Sequence, residues 1–155
     1  MKDFAGKVAV VTGAGSGFGR EFARIGAQLG MKLSLADIQP EALAATVDEL
    51  RGQGAQVIGE TVDVSRGADV ERLAQRTLDA YGAVHLLFNN AGVASGGLVW
   101  ESSVKDWEWV LGVNLWGVIH GVRTFVPIML AQGDECHVVN TASVAGLLSP
   151  QLMGV

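Results

Sequence analysis

Short apolar runs rich in β-branched residues alternate along this chain with longer stretches whose apolar residues return every third or fourth position. "KVAVVTG", Lys7–Gly13, is the first run. Its apolar residues are continuous, which suits a strand buried on both faces of a parallel sheet. From Gly17 to Gly30, Phe18, Phe22, Ile25 and Leu29 return at helical spacing and predict a helix with one apolar face. "KLSLAD", Lys32–Asp37, predicts a second strand. Pro40 suits the first turn of a helix that Leu43, Val47 and Leu50 continue. "QVIGETVDV", Gln56–Val64, reads as a third strand and its exit, and Val70, Leu73 and Thr77 mark the next helix. "VHLLFNNAG", Val84–Gly92, is a fourth strand ending in small and polar residues. "SVKD", Ser103–Asp106, has the form of a capping box, after which a long helix should run to about Leu130. "CHVVNTAS", Cys136–Ser143, predicts a fifth strand, read as buried, with Cys136 as packing.

Regular strand–helix alternation with short links gives an α/β fold: a doubly wound parallel sheet with helices on both faces. No linker divides the chain, so residues 1–155 read as one domain. With 49% hydrophobic and 17% charged residues the composition is globular rather than disordered. A net charge of −5 with scattered Lys and Arg argues against a nucleic-acid surface. Trp109–Leu130 is long enough to cross a bilayer, but Asn114, His120, Arg123 and Pro127 make it a poor membrane span and a better buried helix. Cys136 is the one cysteine, so no internal disulfide forms, and the N-terminus lacks the pattern of a signal peptide; both fit a cytoplasmic protein. His85, His120 and His137 show no ligand spacing with Cys136, so no metal is expected. Trp100, Trp107, Trp109 and Trp116 read as core or interface filler, and Tyr81, ending the third helix, as remote from the chemistry.

"TGAGSGFG", Thr12–Gly19, joins the first strand to the first helix. Gly13, Gly17 and Gly19, with Ser16 and Phe18 among them, allow a tight turn, close approach of a pyrophosphate, and close helix–strand packing. The helix start then offers unpaired N–H groups and the positive end of its dipole. The strand–turn–helix setting is what lifts a glycine cluster to a dinucleotide signal, against the alternative of a plain glycine turn. Asp37 ends the second strand, where a carboxylate can accept both ribose hydroxyls and would repel a 2′-phosphate; NAD is favoured over NADP. Neither residues 14–18 nor Ile38 supplies a cation for that extra phosphate. The alternative for Asp37 is a helix N-cap before Pro40.

These motifs resemble the short-chain dehydrogenase/reductase family, in its classical branch. The T-G-x-x-x-G-x-G spacing and "NNAG" at Asn89–Gly92 carry the resemblance, which runs in order over essentially the whole chain. It implies a Rossmann-type sheet of which five of the expected strands are present. It implies that Asp63 and Val64 of "VDV" contact adenine, and that Asn90, Ala91 and Gly92 support the sheet and line the adenosine ribose. Within "VNLWG", Val113–Gly117, it makes Asn114 the helix asparagine that helps hold a water. Within "NTAS", Asn140–Ser143, it makes Ser143 the catalytic serine that orients the substrate oxygen. Taken alone, each has a plainer reading: Asp63 as a turn cap, Asn114 as a core amide, Ser143 as a small residue at a strand exit.

The implied reaction is hydride transfer between nicotinamide and a small alcohol or ketone, by a homodimer or homotetramer. The resemblance also implies a tyrosine base, helped by a lysine one turn further on, about a dozen residues beyond Ser143. No Y-x-x-x-K occurs in the chain, so the sequence reads as the N-terminal part of a longer NAD-binding domain. The alternative is a non-catalytic dinucleotide-binding fragment or pseudoenzyme. "VASGGLVWES", Val93–Ser102, borders the expected site and hints at a small or hydrophobic substrate.

Overall fold

The computed structural model describes residues 1–148, so residues 149–155 of the domain read from the sequence, and the expected place of the tyrosine, lie outside the described residues. Five strands form one parallel sheet: β1 (Val8–Thr12), β2 (Lys32–Asp37), β3 (Val57–Thr61), β4 (Leu86–Asn89) and β5 (His137–Asn140), in the order β3-β2-β1-β4-β5. Between them lie α1 (Gly17–Gln28), α2 (Pro40–Gly52), α3 (Gly67–Tyr81), α4 (Val104–Leu111) and α5 (Gly117–Gln132). The register sets Val10 between Ser34 of β2 and Leu87 of β4.

All five residues of β1 are buried because helices cover both faces. Ala9, Val11, Leu33 and Leu35 pack with Ala23 of α1 and Leu43, Val47 and Leu50 of α2. Val10, Ala36 and Leu87 pack with Val70 and Leu73 of α3 and Phe125 and Met129 of α5. Each fully buried Val, Leu or Phe contributes roughly 2 kcal/mol relative to exposure. The crossovers from β1 run one way, to β2 and β3, and then the other way, to β4 and β5. The loops after β1 and β4 therefore diverge, which opens a crevice at the carboxyl end of the sheet.

Two sequence expectations are corrected and two are refined. The apolar stripe of α1 is not its buried face: Phe18 is 72% exposed and Ile25 51%, while Gly19, Ala23 and Gly26 are buried. The helix lies too close to the sheet for large side chains, since a Cβ on Gly26 would sit 2.9 Å from Leu33 Cδ2. Phe22, half-buried, stacks on Phe88 at 4.7 Å. Among the described residues β5 is an edge strand with His137 and Asn140 exposed, not a buried one. Cys136 just before it does pack, its thiol accepting from Gln132 and donating to Val84 O. The long helix is continuous over Val104–Gln132 but widens into a π-turn at Gly112–Trp116. The four tryptophans are all exposed, to different degrees, so of the two readings core filler falls away and interface filler stands.

Local cues hold elsewhere. Ser103 and Asp106 form the reciprocal capping box at the start of α4. His85, buried in the link to β4, accepts from Val8 N–H at Nδ1 and sets Nε2 3.2 Å from Asp134. That ring ties β1 to the turn before β5.

Candidate functional site

At the carboxyl end of the sheet a cavity of about 440 Å³ opens between the loops that follow all five strands. The loop after β1 forms its floor. Gly13, at φ +69°, turns the chain sharply, and a Cβ there would lie 2.9 Å from Ala91 Cα in the loop after β4. Gly17, at φ +50°, faces open space, which leaves backbone exposed to whatever enters. Gly19 stands behind the wall, where a Cβ would collide with the Gly13 carbonyl. Ser16 caps α1 with extended backbone and no side-chain hydrogen bond, and the first turn carries no acidic residue. The leading N–H groups of α1 are thus left for an anion.

Asp37 stands where β2 ends. Its Oδ2 accepts from Gly15 N–H at 2.8 Å and its Oδ1 from Gln39 N–H at 2.9 Å. The N-cap of α2 is Gln39, so Asp37 is not the helix cap. A carboxylate has about four acceptor positions, so two backbone donors fix its orientation and leave capacity for hydroxyl groups. Among the described lining residues, Asp37 and Asp63 are the charged ones; no Lys or Arg faces the cavity.

Asp63 and Val64 follow β3. Asp63 Oδ1 accepts from the N–H and the hydroxyl of Ser65, and Arg66 Nε lies 3.4 Å from Oδ2, so the side chain also caps its own turn. Its backbone N–H is held by Asp69 Oδ2. The bond from Arg72, and then that N–H, hold the Asp69 carboxyl below the usual range. The cavity wall here is braced by α3.

Asn90, Ala91 and Gly92 form the opposite wall. The Thr12 hydroxyl accepts from Asn90 N–H and Ala91 N–H and donates to Phe88 O. Asn90 Nδ2 donates to Thr12 O, and its Oδ1 accepts from the Thr141 hydroxyl. Asn114, inside the π-turn, uses both ends of its amide on Val93, accepting its N–H at 2.9 Å and donating to its carbonyl at 2.8 Å. It fastens the loop after Gly92 to the long helix.

Of the residues singled out in the sequence, Gly13, Ser16, Gly17, Phe18, Asp37, Ile38, Asp63, Val64, Asn90, Ala91 and Gly92 line this one cavity. Gly19, Asn114 and Ser143 do not. Ser143 is exposed beyond β5, where its Oγ accepts from Ala145 N–H. Gln39, Trp109, Val113 and Thr141 line the cavity and were not singled out. Thr141 and Val113 sit beside residues that were; Trp109 carries no local signal, because its approach depends on how α4 folds back.

Comparison with known proteins agrees with this geometry. A family model described as short chain dehydrogenase matches residues 7–155. The chain belongs to the short-chain dehydrogenase family. The chain is 39% identical over 148 residues to a CLA biosynthesis dehydrogenase/reductase of Lactiplantibacillus plantarum, covering 96% of this chain and 52% of that protein. It is 37% identical over 149 residues to a cyclohexanol dehydrogenase of Acinetobacter sp. (strain SE19), covering 96% of this chain and 59% of the relative. A crystal structure of a short chain dehydrogenase/reductase from Burkholderia phymatum in complex with NAD superposes with a TM-score of 0.98 at 66% identity, covering 99% of this chain and 55% of the other. The chain spans about half the length of the curated relatives it matches.

Proposed function

We propose that this chain forms the NAD-binding part of an oxidoreductase that transfers hydride between a nicotinamide ring and a small alcohol or ketone. The observation that carries the reading is the pairing, in one cavity, of an uncapped helix start with the oriented Asp37 carboxylate. The residues fit a dinucleotide: the open Gly17 backbone and the first turn of α1 suit a diphosphate, and Asp37 suits the hydroxyls of the adjoining ribose. When bound, the nicotinamide supplies the hydride chemistry that protein side chains lack. Two carboxylates, and no Lys or Arg among the described residues of the cavity wall, support NAD over NADP. The NAD complex of the Burkholderia phymatum neighbour supports the same choice.

The chain's own residues bind and orient. Ser143 keeps a hydroxyl proton to donate to a substrate oxygen while its Oγ is fixed by Ala145 N–H. Asn114 positions the loop beyond Gly92. Tyr81 plays no part: it donates to Leu33 O inside the fold, and burial pushes its phenol up. The second reading, a dinucleotide binder without catalysis, makes the same cofactor contacts and differs in the tyrosine and lysine. The apolar loop Val93–Ser102 and the cyclohexanol dehydrogenase relative support a hydrophobic alcohol as substrate. The exposed apolar side of the long helix supports a homo-oligomer. The solitary Cys136 accords with a cytoplasmic setting.

Calorimetric titration tests the reading. The protein is expected to bind NAD, and Asp37→Ala should weaken NAD by roughly tenfold or more, because hydrogen bonds to a charged acceptor are lost, while NADP changes less. No NAD binding by folded protein overturns the reading; equal losses for both cofactors overturn the choice of NAD. NADH formation from an alcohol by residues 1–155 alone would exclude the non-catalytic alternative.

A further inference from the structure

We propose that Gly15 is the positioning residue for Asp37 and, through it, sets the preference for NAD over NADP; this rests on the dinucleotide reading above. Gly15 is not itself part of the cavity wall. Its N–H donates to Asp37 Oδ2 at 2.8 Å, which with the Gln39 bond fixes the carboxylate in one orientation. A Cβ on Gly15 would lie 2.9 Å from Asp37 Oδ2, 3.0 Å from Asp37 Cγ and 3.0 Å from Ala42 Cβ. The backbone of Gly15 does not have positive φ, so any residue could adopt it. What glycine contributes here is the missing side chain.

The two neighbours differ in how they can respond. Ala42 Cβ is fixed to the backbone of α2 and cannot turn away. The Asp37 carboxylate is the mobile end of a side chain. A methyl at position 15 is therefore accommodated in two ways: Asp37 rotates and displaces the acceptor that the ribose hydroxyls need, and α2 shifts slightly to make room beside Ala42. This separates Gly15 from Gly13 and Gly19, whose added Cβ would meet backbone atoms.

The test is a double-mutant cycle read by calorimetric titration of NAD and NADP, alongside thermal unfolding. Gly15→Ala should unfold at a lower temperature than wild type yet remain folded at 25 °C, weaken NAD roughly tenfold and change NADP by less than about threefold. In the Asp37→Ala background, Gly15→Ala should cost no further NAD affinity. If Gly15→Ala unfolds, Gly15→Ala/Ala42→Gly frees the α2 side while keeping the Asp37 contact, and the same selective loss is expected. Equal weakening of NAD and NADP, or a loss that persists without Asp37, would show that Gly15 acts through the phosphate turn and overturns the proposal. Unchanged NAD affinity in Gly15→Ala overturns it alone; a wild type that binds no NAD defeats the underlying reading as well.

Discussion

Thr12 shows how much one hydroxyl does at the residue scale. It closes β1 and makes three hydrogen bonds to β4 and the loop after it, to Phe88 O, Asn90 N–H and Ala91 N–H. Thr12→Val keeps the shape and removes all three. Two N–H groups are then left near the cavity without their partner, which should cost about 2–4 kcal/mol in a denaturant titration. Thr12→Ser should restore most of it, and a Thr12→Val protein as stable as wild type would show that water replaces the hydroxyl. Thr12 was quoted in the glycine motif only as its first letter. Asp37 was legible because strand end and glycine spacing fix its place; its two N–H donors were not, since they depend on how the turns close. The same holds for Ser143 and Asn114, named from motif order but set by the structure outside the cavity wall.

Elements were legible in kind and order, because runs of Val, Leu and Ile differ so clearly from the helical stretches between them. The orientation of α1 was not. Helical spacing finds an apolar stripe but cannot tell whether close approach to the sheet will favour glycine and alanine over phenylalanine and isoleucine. The polar side of α1 also has a task that periodicity does not show. Arg24 and Arg20 both reach Glu49 of α2 and bind the two helices together. The hydrogen bond from Arg24, then that from Arg20, lowers Glu49 from the ordinary 4.5 to about 2. A depressed carboxyl stabilises the fold above its unfolded value and loses that contribution as pH falls through its folded value. The tie is thus complete above about pH 4.5 and is lost toward pH 2. In denaturation midpoints measured across that window, wild type should lose stability more steeply than Glu49→Gln, whose tie does not titrate. Parallel slopes would mean that solvent screens the pair too well to matter.

For the whole molecule, the strand order β3-β2-β1-β4-β5 is what collects residues from Gly13 to Thr141 around one cavity. Local patterns say nothing about which strands are neighbours; handed crossovers and the family resemblance supply that. The same topology leaves the helix Val104–Gln132 with two unlike sides. Gly117, Gly121, Phe125 and Met129 return every fourth residue and face the core. Leu111, Leu115 and Val122 return on another face and are 42%, 49% and 36% exposed, with Trp116 beside them. A row of large apolar side chains without charge between them is costly to leave in water, and a second copy of the same helix matches it by symmetry. Leu115→Arg puts a cation into that row without touching the core, so the monomer should fold with near wild-type stability. Light scattering coupled to gel filtration is expected to show a dimer or larger for wild type and a clear shift toward monomer for Leu115→Arg, with an unchanged circular dichroism spectrum. A wild type that is monomeric at tens of micromolar, or a variant whose mass does not fall, would mean that this face is covered by something other than its own copy.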